Sequence, residues 1–354
     1  MNAENAMLRK KAFMGAFIAI MSMQMGLAQK RTSSNPSNQK STLDSATNVQ
    51  IRFVKSAMGD YMQYLLGRST GKFDTLEKVV PLGDIPILDE NITLPEVAAS
   101  SNITSYAELY PLIEPYRSAK SRVVSMGDNR YRILAYSYEM PSYQKLRLIL
   151  DDGAAMYPQF VKYWTDNIAP AEAAQIAAWK QQDAAWHPFH GLQSLARMKF
   201  PSSQLDIVAL ALHGSGSGNT DPEGIYTTLF SKPNLAWVVG HEGTHLLVDQ
   251  FGGHNWRTLP SAQKAIQLAV AHGATADDLE EALCLLMQAK LSQFYGQTPA
   301  DFRVSAKLPP SLKKDVLVNL ENRWPEYQTN SRQTLIEWFV SQSLICLSAM
   351  PVKQ

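Results

Sequence analysis

The sequence predicts an α+β fold in which a small mixed sheet packs on one buried helix and a mostly helical C-terminal part follows. Three observations carry that expectation. The apolar run at residues 205–213 ends in the glycine-rich stretch Gly214-Ser215-Gly216-Ser217-Gly218-Asn219 and reads as a buried strand. Residues 235–248 are apolar nearly all round, the pattern of a core helix. Residues 275–287 and parts of 308–350 repeat apolar positions at helical spacing.

Taken in order, the chain opens on a targeting signal. Arg9, Lys10 and Lys11 precede an apolar stretch at 12–23, and Gly26-Leu27-Ala28 offers small residues for cleavage before Gln29. Residues 1–28 are therefore read as a signal peptide, with export to the periplasm or outside the cell. A membrane is involved only if that segment stays uncleaved. Residues 29–48, rich in Ser, Asn, Gln and Lys, read as a flexible linker. The remainder divides into a region of mixed structure at 49–195 and a second region at 196–354.

In the first region, 51–66 reads as a helix and 71–105 as mostly loop. Tyrosine-rich 130–140 reads as strand, and 158–167 and 170–186 as helices, the second with Pro170 in its first turn. In the second region, the glycine-rich stretch lacks a following Gly-Lys-Ser/Thr and so is no phosphate cradle. A short element at 225–230 leads into the helix at 235–248. Ser231 or Asn234 is placed to cap that helix, Pro233 suits its first turn, and Gly252-Gly253 ends the run. This order sets an edge strand beside the helix, where an extended peptide can add by main-chain hydrogen bonds.

With 354 residues, 45% hydrophobic and 18% charged, the chain has ample material for a core. The net charge is +1, and three basic residues against Glu4 give the first 28 residues +2, so the rest carries −1. Nothing in that balance favours nucleic acid as a partner. Two cysteines, Cys284 and Cys346, do not make a disulfide scaffold.

The chemistry is carried by His241-Glu242-Gly243-Thr244-His245. Histidines four positions apart lie on one helix face, so both imidazoles reach one Zn²⁺ at roughly 2.0–2.1 Å. Glu242 then falls beside the metal, placed to take a proton from the attacking water as a metallohydrolase requires. Two histidines and a glutamate in an apolar helix are costly unless something pairs them. Gly243 weakens the helix, which close packing against it explains.

A catalytic zinc needs a third protein ligand. A metzincin histidine is excluded because position 251 is Phe, and His254 sits beyond the glycine pair. The helix that Thr275 caps offers Glu280 and Glu281. Glu281 has Cys284 and Leu285 at i+3 and i+4, and Glu280 has Leu283 and Cys284, so either carboxylate can be carried inward.

On these residues the chain resembles the gluzincin class of zinc metallopeptidases, in which a glutamate from a following helix joins the two histidines. Glu281-Ala282-Leu283-Cys284 is similar to the Glu-x-x-Ala pattern around that glutamate. The resemblance spans roughly residues 200–295, with the HExxH motif its specific part. It implies a zincin-like metallopeptidase core, Zn²⁺ bound by His241, His245 and Glu281, Glu242 as general base, and a peptide or protein substrate. The chain departs from the class in three ways. Glu281 lies 36 positions after His245, where about twenty is usual, position 285 is Leu where an Asp often orients a histidine, and a Gly-x-Met-Glu-Asn strand is missing. The alternative reading is a zincin-fold binding or scaffolding protein with a structural or inactive metal site.

Overall fold

The computed structural model describes residues 49–351, apart from 67–73, 87, 89–91, 102, 119, 128–129, 136–139, 201–202, 213–217, 222–223, 228–233, 249–255 and 300. The signal-peptide and linker expectations lie outside the described residues, as do Ser231, Pro233, the Gly252-Gly253 stop and His254. The described residues belong to one compact unit, 46–354.

The chain begins with strand β1 (Gln50–Lys55) and helix α1 (Ala57–Leu66), where the sequence suggested one continuous helix over 51–66. The reason is tertiary. Ile51, Phe53 and Val54 are β-branched or aromatic, and β1 gains a parallel partner 154 residues downstream, with Ile51 opposite Leu205 and Phe53 opposite Ile207. Arg52 faces Asp206 across the same ladder, its Nε donating to Oδ1 at 2.8 Å. Within the stretch read as loop, helix α2 (Leu94–Ser100) forms, with Pro95 in its first turn.

A hairpin follows, β2 (Val123–Gly127) with β3 (Arg130–Ile133). Helices α3 (Tyr143–Gly153), α4 (Tyr157–Asn167), α5 (Ala169–Trp186) and α6 (Pro188–Ala196) come next, α4 and α5 close to their expected bounds. Strand β4 (Gln204–Ala209) matches the apolar run, and β6 (Gly224–Thr227) the short element after it. Between them the glycine-rich stretch is not all loop, since β5 (Gly218–Asp221) starts inside it. The C-terminal part is helical: α7 (Leu235–Val248), α8 (Pro260–Ala271), α9 (Ala276–Phe294), α10 (Leu312–Thr329) and α11 (Leu335–Ala349).

The fold is thus α+β and rich in helix, with a four-stranded mixed sheet in the order β1-β4-β6-β5. β1, β4 and β6 run parallel, and β5 pairs antiparallel with β6 at the outer edge. Strand periodicity of two splits β4 between two apolar surfaces. Leu205, Ile207 and Ala209 join the larger core with Trp179 of α5, Val238 of α7, Leu286 of α9 and Phe339 of α11. Val208 and Leu210 face Ala99 of α2. A second core, with Tyr61, Tyr64 and Phe160 fully buried, gathers α1, α3 and α4. Among the described residues no helix is long and apolar enough to cross a membrane.

Candidate metal centre

Helix α7 starts where Asn234 Oδ1 accepts the backbone N–H of Ala236 at 2.9 Å, which settles the capping residue. Two glycines then let its neighbours come close. A Cβ on Gly240 would sit 2.7 Å from the Gln288 Cα of α9, and one on Gly243 would sit 2.8 Å from Leu192 Cδ2 of α6. The expected close approach at Gly243 is therefore present, and the one at Gly240 brings the α9 backbone against the helix that carries the histidines. Thr244 satisfies its buried hydroxyl by donating to the Gly240 carbonyl at 2.7 Å.

Helix α9 is capped as expected. Thr275 accepts from the Asp278 N–H at 3.1 Å, and Asp278 Oδ2 accepts from the Thr275 N–H at 2.9 Å, a reciprocal box. Residues 280 and 281 then follow one turn in, about 100° apart around the axis by helix geometry. Glu281 turns toward the histidines of α7 and Glu280 toward the flank of His245.

His241, His245 and Glu281 converge, each offering one ligand atom, and these atoms all lie within 4.8 Å of one another. His241 Nε2 is 3.7 Å from Glu281 Oε2, and His245 Nε2 is 3.4 Å from Glu281 Oε1. Two ligands on a small tetrahedral ion at about 2.0–2.1 Å stand about 3.3–3.4 Å apart, so the cluster has the spacing needed to hold a metal ion. Among the described residues no other group of three or more His, Cys, Asp and Glu side chains comes together in this way. His187 and His190 join no such group among the described residues, and His187 is the left-handed residue between α5 and α6. Glu242 lies on α7 just after the first ligand, 2% exposed and outside the cluster.

Glu280 holds a separate position. Its Oε1 accepts from His245 Nδ1 at 2.8 Å, and its Oε2 accepts from Trp256 Nε1 at 2.8 Å and from Arg257 Nη2 at 2.7 Å and Nε at 3.2 Å. A buried carboxylate needs such partners. Burial alone would raise Glu280, but the hydrogen bond and charge of His245, with Arg257 and Trp256, bring it down to about 2. Glu281 is lowered too, mainly by the His245 hydrogen bond against its partial burial.

Burial works against charging His245, yet hydrogen bonding to Cys284, Glu280 and Glu281 and the charge of the two carboxylates hold its pKa well above the usual imidazole value. Burial lifts the Cys284 thiol to about 12, so the thiol stays neutral and the two carboxylates supply the attraction. The centre therefore demands positive charge. Arg257 answers Glu280, while Glu281 has the charge of Lys313 and, within the cluster, a proton on a histidine or a cation between the three side chains.

Cys284 and Cys346 are both free, Cys284 buried beside His245 and Cys346 near the Asp315 carbonyl at 3.9 Å. Tyr327, available by residue type as an oxyanion donor, is a core residue whose hydroxyl donates to the Leu195 carbonyl at 2.9 Å. Residue pattern did not single out Trp256 and Arg257. No spacing ties them to the motif. The one usable signal was the Glu280-Glu281 doublet, because adjacent helix positions cannot face the same way. Compared with protein-family models, curated proteins and solved structures, the chain matches none.

Proposed function

We propose that the protein is an exported zinc-dependent peptidase with a zincin-like core, His241, His245 and Glu281 as zinc ligands and Glu242 as general base. The observation that carries this reading is the donor set: two imidazole nitrogens and one carboxylate whose ligand atoms all lie within 4.8 Å of one another. Three protein ligands of this kind are the pattern of a catalytic zinc, which keeps its fourth position for water or substrate, whereas structural sites are closed by four. Glu281 is 37% exposed, so the cluster is reachable from solvent.

Bound there, zinc would lower the pKa of a water and polarise the scissile carbonyl. Glu242 takes the proton of the attacking water and passes it to the leaving amine. Glu280 and Arg257 keep His245 aligned through that cycle. Among the described residues β5 ends the sheet and packs against α7, a strand edge along which an extended peptide can pair. The apolar leader before residue 29 supports export.

The reading of a binding or scaffolding protein drew on the missing orienting carboxylate at position 285 and on the 36 positions between His245 and Glu281. Glu280, whose Oε1 lies 2.8 Å from His245 Nδ1, answers the first point, and the spacing is what that reading keeps. Zinc content and cleavage of a broad peptide library, measured on wild type and Glu242→Gln, test the proposal. The expected result is zinc retained in both and cleavage lost in the variant by at least about a hundredfold. A zinc-loaded wild type that cleaves nothing in the library overturns it.

A further inference from the structure

We propose that Glu280 is a positioning residue that selects which nitrogen of His245 faces the metal, with Trp256 and Arg257 fixing the carboxylate that makes the selection. The inference rests on reading the cluster as a metal site, and not on the identity of any substrate.

The geometry is directional. Glu280 lies on the flank of His245 and acts as an acceptor, its Oε2 met by the N–H groups of Trp256 and Arg257, and His245 Nδ1 lies 2.8 Å from its Oε1. Nδ1 must then carry the proton, which leaves the Nε2 lone pair of a neutral ring pointing at Glu281, 3.4 Å away, where an ion would sit. The other oxygen, Oε2, is claimed by three N–H donors, Trp256 Nε1 and Arg257 Nε and Nη2. Trp256 is itself locked, fully buried with its ring edge-on to Phe339 at 5.1 Å between centroids. Glu280 therefore cannot turn without stranding a buried indole N–H and a guanidinium.

This arrangement makes an uncommon prediction for Glu280→Gln, a change that alters no shape. The amide has one oxygen, and three donors compete for it on the Trp256 and Arg257 side. Its NH₂ is thus forced toward His245 Nδ1, which must become the acceptor. The ring proton moves to Nε2, the nitrogen that should bind the metal. A residue that merely filled space would tolerate the amide and leave the tautomer alone.

The test uses the full chain with ¹⁵N-labelled histidine. In metal-free protein, at a pH where the ring is neutral, ¹⁵N shifts of His245 should show the proton on Nδ1 in wild type and on Nε2 in Glu280→Gln. Titration with Zn²⁺ or Co²⁺ should show affinity falling roughly 10–100-fold in the variant, the range typical of lost partners to a liganding histidine. An unchanged tautomer together with affinity within about threefold of wild type overturns the proposal. If Glu280→Gln does not fold, Trp256→Phe keeps a ring against Phe339 and removes one donor. Its metal affinity should fall by roughly threefold or more, and unchanged affinity overturns the proposal in that form. Neither readout involves peptide cleavage, so a protein that proves not to be a peptidase can still pass, and an active peptidase can still fail.

Discussion

Two pairs of buried acids in this molecule are treated in opposite ways. Asp60 of α1 and Glu172 of α5 are both fully buried and close enough to act on each other, so that one of the two carboxyl groups is driven to keep a proton. Their remaining contacts are neutral donors: the N–H of Leu212 and the Trp164 indole to Asp60, each at 2.9 Å, and the N–H of Ala211 to Glu172 at 3.2 Å. The cation that acts on Glu172 is Lys55, an exposed side chain whose ammonium lies 5.5 Å over the Trp164 ring. Burial therefore wins, and both pKa values rise. Glu280 and Glu281 are adjacent in sequence, yet both are lowered, because His245 acts on both, with Arg257 beside Glu280 and His241 and Lys313 acting on Glu281. Depth alone does not decide what a carboxylate pair becomes. A pair whose only cation lies out at the surface takes up a proton, whereas a pair among imidazoles keeps its charge and can hold a metal ion.

The two pairs should answer differently to truncation, and this is the largest expected effect. Asp60→Ala strands the Leu212 N–H and the Trp164 indole and removes the partner that shares Glu172's proton. It should cost about 3–5 kcal/mol in denaturant unfolding at neutral pH. Glu281→Ala removes a half-buried side chain and should change the stability of metal-free protein by no more than about 1 kcal/mol while abolishing metal binding. Equal stability losses from the two variants would break the contrast between a structural and a functional pair.

The next effect comes from the glycines that precede a key residue in each region. A Cβ on Gly240, just before His241, meets backbone at 2.7 Å and 3.1 Å, the Gln288 Cα and Met287 carbonyl. One on Gly59, just before Asp60, meets Ala99 Cβ at 2.6 Å and Leu210 Cδ2 at 2.9 Å, with the Pro95 carbonyl at 3.2 Å. Either change to Ala should cost about 1–3 kcal/mol. Only Gly240→Ala should also weaken metal binding, by prising α7 from α9 and the histidines from Glu281. A metal titration on both variants decides it.

The same contrast shows what a sequence makes legible. The histidine helix could be read because its motif, its cap at Asn234 and its apolar pattern are local, and α9 because Thr275 and Asp278 box its start. Glu281 was reached through a resemblance, since residue pattern alone left it level with Glu280. What escaped was non-local. β1 was hidden inside a helical reading because its partner β4 lies 154 residues away, and β5 because a glycine-rich stretch becomes strand only by pairing with β6. The Asp60–Glu172 pair is invisible for the same reason, as nothing near either residue announces the other.

A smaller effect separates the pairs by pH. The raised pKa values of Asp60 and Glu172 mean that the folded state holds protons which the unfolded chain releases at ordinary carboxylate values near 4. By linkage, their contribution to stability is full below that pH and declines as pH rises toward the raised folded values. Glu172→Gln supplies a permanently neutral donor in the same shape and should remove this slope. Its melting temperature should exceed wild type by roughly 2–4 °C at pH 8 and converge with it near pH 4. A variant that melts below wild type at both values would mean that the shared proton is not what holds α1 to α5.

The smallest effect tests how far the grip on the metal pair extends. Arg257 Nη2 is 2.7 Å from Glu280 Oε2 and also 2.7 Å from Asp277 Oδ1, but Asp277 is 76% exposed where Glu280 is 6%. Water screens the outer contact, so an exposed pair of this kind is worth at most about 1 kcal/mol, while the inner one holds a charge that solvent cannot reach. Asp277→Asn should therefore leave metal affinity within about threefold of wild type, because Arg257 stays in place through Nε and Nη2 on Glu280. A drop in affinity as large as that expected for Glu280→Gln would move the anchor of His245 outward to the protein surface. The guanidinium's position would then depend on an exposed carboxylate, and metal binding should weaken with rising salt as that contact is screened.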